Sequence, residues 1–159
     1  MSKRLIVLLA GIVAAAALVA GCGSSDDSST DSTTALTKAE FIKQGDAICE
    51  KGSKQIEEEA EAFADDNNVD TEKPTNEQQE EVIETVVGPS LQTQADELGE
   101  LGAPRGEEAK VTAMLDALEE GAEELESDPG VLLGKKGSDP LDEANELANE
   151  FGFKACGQE

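Results

Sequence analysis

Three cysteines, Cys22, Cys49 and Cys156, carry the most versatile side-chain chemistry in this 159-residue chain. A thiol can form a disulfide, ligate a metal, carry a lipid or act as a nucleophile, and the last role needs a nearby base or cation to form the thiolate. The chain contains no histidine, the side chain that most often supplies such a base near neutral pH. We therefore expect no activated serine or cysteine, and we expect the protein not to be an enzyme.

Cys22 follows a segment with the charge and hydropathy pattern of a secretory signal. Lys3 and Arg4 precede an apolar run over residues 5–20. Those sixteen residues would form a helix of roughly 24 Å, shorter than the bilayer core of about 30 Å, which favours a cleaved leader over a membrane span. The tetrapeptide Val19-Ala20-Gly21-Cys22 resembles the lipobox of bacterial lipoproteins. The resemblance implies cleavage before Cys22 and a diacylglyceryl thioether on its sulfur, whereas an ordinary cleaved signal would leave Cys22 as a free thiol.

A lipidated Cys22 would anchor the protein to the cell membrane on its extracytoplasmic side. Two acyl chains suffice for stable attachment, because each buried methylene contributes about 0.8 kcal/mol. Residues 23–34 consist only of Gly, Ser, Thr and Asp, and such a segment cannot bury enough apolar surface to fold. We therefore expect a signal peptide over 1–21, a lipidated cysteine with a flexible tether over 22–35, and a folded domain over 36–159.

With Cys22 assigned to the anchor, Cys49 and Cys156 remain as a pair. An exported protein meets an oxidising environment, which favours a disulfide between them. The bridge would close a loop of about a hundred residues and stabilise the fold by roughly 4 to 5 kcal/mol through chain entropy. The alternative is a reactive or redox pair, but neither cysteine lies in a Cys-x-x-Cys arrangement. Two thiolates are also too few for a structural zinc site.

An acidic segment between the first two expected helices carries the ligand types that calcium prefers. Oxygen-bearing side chains fall at positions 1, 3, 5, 7 and 12 of a calcium-loop pattern: Asp66, Asn68, Asp70, Glu72 and Glu77. The spacing is similar to that of an EF-hand, although Thr71 stands where the sharp turn needs glycine, and Lys73 brings a positive charge. The alternative is a solvated acidic loop, because acid-rich chains generate this spacing by chance. Apart from calcium, no cofactor is expected.

The charge balance excludes one class of partner. From Cys22 onward, ten Lys and Arg face 36 Asp and Glu, a net charge of −26. Such a field repels nucleic-acid phosphates and anionic lipid headgroups alike. The chain also has no Trp or Tyr and only four Phe, so base-stacking platforms are not expected. We expect contact with the membrane through the anchor on Cys22, an unidentified envelope protein or ligand as partner, and no nucleic acid.

Helical periodicity runs from Leu36 onward, and no stretch alternates with the period of a strand. Thr37 with Glu40, and Thr75 with Gln78, have the spacing of capping boxes. The first box predicts the start of a helix over about 38–64, which has Phe63 on its inward stripe. The second box predicts the start of a second helix after Thr75. Gly88-Pro89 should kink or break that second helix, because proline removes a backbone hydrogen bond.

The second half of the chain predicts two more helices. Pro104 suits the first turn of a third helix that ends before Pro129, and residues 131–133 should form a loop or single turn plugging the core. A last helix should begin at Pro140 and end at Gly152. The sequence therefore predicts an all-α domain resembling a four-helix bundle, with the second helix kinked at Gly88-Pro89.

Short signatures near both ends of the domain carry a second resemblance. Phe41 with the Asp-Ala-Ile-Cys run at 46–49, and the segment 151–157, are similar to small, largely uncharacterised helical lipoproteins of actinobacteria. That resemblance implies a helical domain with paired terminal cysteines outside the cell, and it brings no catalytic residues. We expect a non-catalytic helical binding module of the cell envelope.

Three alternatives belong to other functional classes than a non-catalytic binding module. One is a calcium-binding envelope protein, and another is an enzyme that uses paired carboxylates, which a buried carboxylate pair in a cleft would indicate. The third is a solute receptor for a transporter, which a deep pocket inside the bundle would favour.

Overall fold

The computed structural model describes residues 35–134 and 138–157. The expected signal peptide, the anchor Cys22 and the tether up to Thr34 lie outside the described residues, so their assignment stays a prediction. The described part is helical and contains no strand. Its elements in chain order are α1 (Lys38–Asp66), α2 (Asn76–Val82), a π-helical segment (Ile83–Val87), α3 (Gly88–Glu100), α4 (Glu108–Ser127), a 3-10 turn (Pro129–Val131) and α5 (Asp142–Phe151).

The all-α fold is confirmed. When α2, the π-helical segment and α3 are counted as one continuous helix, the described residues form four helices, in which α3 packs on α1 and α4, and α5 packs on α4. No helix among these residues has an apolar stretch long enough to cross a membrane.

Both predicted capping boxes are present. The Thr37 hydroxyl accepts a hydrogen bond from the Glu40 backbone N–H at 3.3 Å, and the Glu40 carboxylate accepts one from the Thr37 N–H at 3.0 Å. Thr75 and Gln78 make the same reciprocal pair at 3.2 and 2.9 Å. Each box satisfies backbone donors that a helix start would otherwise leave without partners.

The helix does not break at Gly88-Pro89; a π-helical segment, Ile83–Val87, leads directly into α3, and the predicted kink stays a prediction. The Gly88 N–H donates to the Ile83 carbonyl, five residues back, so the hydrogen-bond pattern has already widened before the proline. Pro89 then stands in the first turn of α3, where a missing N–H has little cost. The chain therefore remains helical from Asn76 to Glu100.

Two predicted helix starts are displaced. Pro104 lies in a buried turn rather than in α4, which begins at Glu108, because Gly106 adopts a left-handed φ of +86° that interrupts the helix. The last helix begins at Asp142 rather than at Pro140, because the Asp139 carboxylate accepts a hydrogen bond from the Leu141 N–H at 2.9 Å and holds a turn there. Its predicted end at Gly152 is confirmed, with a left-handed φ of +113°.

The core is centred on three aromatic rings. Phe41, Phe151 and Phe153 lie 5.5 to 5.8 Å apart between centroids and are buried with Val111 and Met114. A smaller cluster packs near the other end of α4: Ile83, Leu125 and Val131. Of residues 131–133, which the sequence predicted to plug the core, Val131 does so from the 3-10 turn, whereas Leu132 is exposed.

The chain's end is tied to α1 by three kinds of contact. Cys49 and Cys156 are joined in a disulfide with a Cα–Cα distance of 5.2 Å. The Asp46 carboxylate accepts hydrogen bonds from the backbone N–H groups of Lys154 and Ala155 at 2.9 and 2.8 Å. The Phe153 ring lies against Gly45, where an added Cβ would overlap the ring. The terminal segment is therefore an integral part of the fold.

Candidate functional site

A pocket of about 300 Å³ lies among α1, α3, α4 and α5, and we name it the inter-helix pocket. Polar side chains of its wall are Ser53, Gln94, Asp139 and Asn145. The pocket is also bordered by the two disulfide-bonded cysteines, Cys49 and Cys156, and by Ala155. The remaining wall is aliphatic: Ile56, Leu91, Leu98, Met114, Leu118, Leu132, Leu141, Ala144 and Ala148. A mostly apolar wall with a few polar groups is typical of small-molecule sites.

Helical periodicity explains how these side chains meet. The α1 contribution consists of Cys49, Ser53 and Ile56, spaced by four and three residues, so all three share one face of that helix. Ala144 and Ala148 are spaced by four residues on α5 and are both buried. Because alanine side chains are short, α5 leaves volume at this point that larger side chains would fill.

Gln94 is the most unusual residue of the pocket wall. It is 7% exposed and is the only buried polar side chain among residues 35–134 and 138–157. Its carboxamide lies against Gly52, where an added Cβ would overlap the amide carbon. Its Nε2 donates to the Ser90 carbonyl of the same helix at 3.4 Å, a long and weak bond. Gly52 and Ser90, the two residues that the amide contacts, border a second concavity on which Gln94 also lies, and neither of them lines the inter-helix pocket.

The remaining polar residues of the pocket are more accessible. Ser53 and Asp139 are exposed, and Asn145 is half-buried. Asp139 uses one carboxylate oxygen to hold the Leu141 turn. The C-terminal segment closes one side of the pocket through Ala155 and Cys156. The disulfide thus helps to form the pocket as well as to hold the chain's end.

The predicted calcium ligands lie at the junction of α1 and α2. Asp66 is the last residue of α1, Asn68 has a left-handed φ of 51°, and Glu77 lies in the first turn of α2. The Asp70 carboxylate accepts a hydrogen bond from the Glu72 N–H at 3.1 Å and so closes a local turn.

In the part of the chain that the structure describes, no three His, Cys, Asp or Glu side chains come together as metal ligands would. The structure therefore does not bring the five residues into one site, and calcium binding stays a prediction.

Carboxylates of the described segments lie at the surface or are partly covered, and none is buried. Glu107 is the most engaged, with Lys110 at 3.0 Å and Lys38 at 3.5 Å. The hydrogen bond from Lys110 is the main reason why the pKa of the Glu107 carboxyl is below its usual value. Through its contact with Lys38, Glu107 links the start of α4 to the start of α1.

Sequence reasoning did not identify the inter-helix pocket. Its apolar residues carried only the signal of a core stripe, and Gln94 interrupts such a stripe between Leu91 and Leu98. A polar residue on the inward face of an amphipathic helix is the one sequence signal that pointed to this place.

Comparison of the chain with protein-family models, with curated proteins and with solved structures finds no match in any of the three.

Proposed function

We propose that this protein is a membrane-anchored, extracytoplasmic lipoprotein that acts as a non-catalytic binding module of the cell envelope. Its ligand is a small, largely apolar molecule held in the inter-helix pocket. The observation that carries the proposal is the mostly aliphatic wall of this pocket, which contains a few polar side chains, among them the half-buried Asn145. The lipobox-like residues 19–22 support the anchor and the location.

The dimensions and chemistry of the pocket limit the ligand class. A volume of about 300 Å³ is at the lower end of the range for small-molecule sites, which is roughly 300 to 1,000 Å³. The Asn145 amide can donate and accept a hydrogen bond, so one polar group on the ligand suffices for orientation. The mature charge of −26 disfavours anions. We therefore expect a neutral or cationic molecule with a compact apolar body.

The pocket also favours one alternative, a receptor that delivers a solute to a transporter. Such a receptor and a binding module share the first step, which is uptake of the ligand between the helices. They differ in whether a membrane protein accepts the ligand afterwards. Binding at the pocket is therefore the property to test first.

Binding can be measured with N-phenyl-1-naphthylamine, an uncharged dye whose fluorescence rises in an apolar site. The secreted Cys22→Ser chain keeps lipid out of the titration. We expect saturable binding at one site, weakened about tenfold or more by Ser53→Phe, since a phenyl ring at the pocket mouth competes with the dye for apolar surface. Gln44→Phe is the matched control, because it adds the same ring to an exposed position of α1 outside the pocket.

Equal affinities of the two phenylalanine variants would show that the dye binds elsewhere and would contradict the pocket assignment.

The anchor has a separate test. In cells, Cys22→Ser should move the protein from the membrane fraction to the soluble fraction, because the acyl chains have no other attachment point in this proposal. Intact-mass analysis of the native protein should show a chain that begins at Cys22 with an added diacylglyceryl group. An unmodified sulfur, or full retention of Cys22→Ser in membranes, would refute lipid anchoring without affecting the pocket.

A further inference from the structure

A second apolar concavity lies where the end of α1 meets the following loop and α2, and we name it the α1–α2 hollow. It measures about 320 Å³, and no charged side chain of residues 35–134 or 138–157 lines it. Apolar side chains from four parts of the chain form its wall: Ala60, Phe63, Val69, Pro74, Val82 and Leu133. It shares no lining residue with the inter-helix pocket.

Phe63 marks the hollow as an incompletely covered surface. The other three phenylalanines pack on one another and are buried, whereas the Phe63 ring is half-buried and borders the hollow. The periodicity of α1 had placed Phe63 on the inward stripe, but α2 does not cover it. An aromatic ring left partly in water at a concave site is typical of a surface that receives an apolar side chain.

The surroundings of the hollow are strongly acidic. Residues 57–84 carry twelve carboxylates and one base, Lys73, and residues 112–136 add seven carboxylates and two bases, Lys135 and Lys136. In the second half of α1, exposed acids extend from Glu57 to Asp66, which corresponds to about 14 Å along the helix axis. A single small cation cannot match charge spread over this length, whereas basic residues along a peptide can.

Charge complementarity identifies the occupant. A second copy of the chain, with its own charge of −26, and an anionic lipid surface are both repelled by this rim. We propose that the α1–α2 hollow docks a basic amphipathic segment of a partner protein. One apolar side chain of the segment packs on Phe63, and its Lys and Arg residues face the carboxylates around the hollow.

The test uses the lipidated full chain in phosphatidylcholine nanodiscs, which carry no net charge, with empty nanodiscs as background. The probe is a fluorescein-labelled synthetic peptide with leucines at helical spacing and lysines elsewhere, measured by fluorescence anisotropy at low salt. Ala60→Phe fills the hollow from α1, and its matched control Ala62→Phe adds the same ring at an exposed position two residues away. We expect Ala60→Phe to weaken binding about tenfold or more and Ala62→Phe by less than about twofold.

A second pair of variants tests the charge contribution. Neutralising three exposed acids near the hollow, in the triple variant Glu61→Gln, Asp65→Asn and Glu81→Gln, should weaken binding about tenfold at low salt. The matched control neutralises three exposed acids of α5: Glu143→Gln, Glu146→Gln and Glu150→Gln. It should change affinity by less than about twofold, because α5 does not border the hollow. Far-UV circular dichroism of each variant checks that the helices remain folded.

Four results would overturn the proposal. The first is no saturable binding of the lysine–leucine peptide, and the second is equal affinity for a peptide in which serine replaces leucine. The third is an equal effect of Ala60→Phe and Ala62→Phe. The fourth is self-association of the chain that Ala60→Phe abolishes, since the occupant would then be a second copy. Dye binding in the inter-helix pocket should be the same in all of these variants, so failure here is distinguishable from failure of the proposed function.

Discussion

Removal of the disulfide between Cys49 and Cys156 should be the most destabilising small change available in this protein. The two cysteines are 107 residues apart in sequence, and the chain-entropy relation for a closed loop of that size gives about 5 kcal/mol at 25 °C. A domain of about 120 residues has a free energy of unfolding of roughly 6 to 18 kcal/mol. The bridge therefore supplies from about a quarter to most of the stability expected for such a domain.

The double variant Cys49→Ala and Cys156→Ala tests this estimate without leaving a free thiol. Alanine is suitable because Cys49 is 7% exposed, and serine would place a hydroxyl in an apolar site. Unfolding by urea should be followed by far-UV circular dichroism, since the chain has no Trp or Tyr to report by fluorescence. The midpoint should fall by about 2 M urea or more, for a slope of about 1 to 3 kcal/mol/M. Treatment of the natural sequence with a reducing agent should give the same loss.

A loss below about 1 kcal/mol would refute the loop-closure reasoning. It would mean that the Asp46 hydrogen bonds and the packing of Phe153 hold the terminal segment without the bridge. A large loss in the variant with little change on reduction would instead assign the effect to the lost side-chain volume at Cys49.

Other perturbations test individual contacts. Asp46→Ala should lower the free energy of unfolding by about 1 to 3 kcal/mol in urea titrations, because two backbone N–H groups lose their acceptor. Gly121→Ala should cost about 1 to 3 kcal/mol, because its methyl group would lie 2.7 Å from a backbone oxygen, whereas Gly99→Ala, with its nearest contact at 3.7 Å, should not destabilise. The Thr37 hydroxyl lowers the pKa of Glu40, so this contribution to stability is present above the unfolded pKa and is lost as pH falls through the folded pKa. Thermal melts of Thr37→Ala between pH 6 and 3 should therefore show a weaker loss on acidification than the natural sequence.

Local chemistry made the helix starts at Thr37 and Thr75 predictable. A capping box involves residues three apart in sequence, so the pattern contains all the partners that the structure later shows. The same holds for Gly152, whose left-handed conformation ends α5. The start of α4 was not predictable in this way, because Pro104 fits a first helical turn equally well. Only the conformation of Gly106 shows that the turn ends before the helix begins.

Both concavities depend on distances between helices, which periodicity does not contain. Phe63 lies on the inward stripe of α1 by sequence, but its burial depends on whether α2 reaches across it. Gln94 is also inward by sequence, and its contact with Gly52 depends on how closely α1 and α3 approach. The five predicted calcium ligands show the converse: their spacing is local, but convergence on an ion needs a loop shape that this spacing does not impose.

Small residues explain why a stable bundle of this sequence also contains empty volume. Close approach between α1 and α3 occurs at Gly52, and the connection before α5 packs closely on Gly121 in α4. Alanines occupy buried positions of α5 at Ala144 and Ala148, and Phe41, Leu98 and Leu125 are the largest fully buried side chains of the described residues. A core with few large side chains gains less from apolar burial, which makes the contribution of the disulfide a larger share of the total. The same shortage of large side chains leaves the inter-helix pocket unfilled. An apolar ligand bound there would bury the apolar surface of the pocket wall and would stabilise the folded domain.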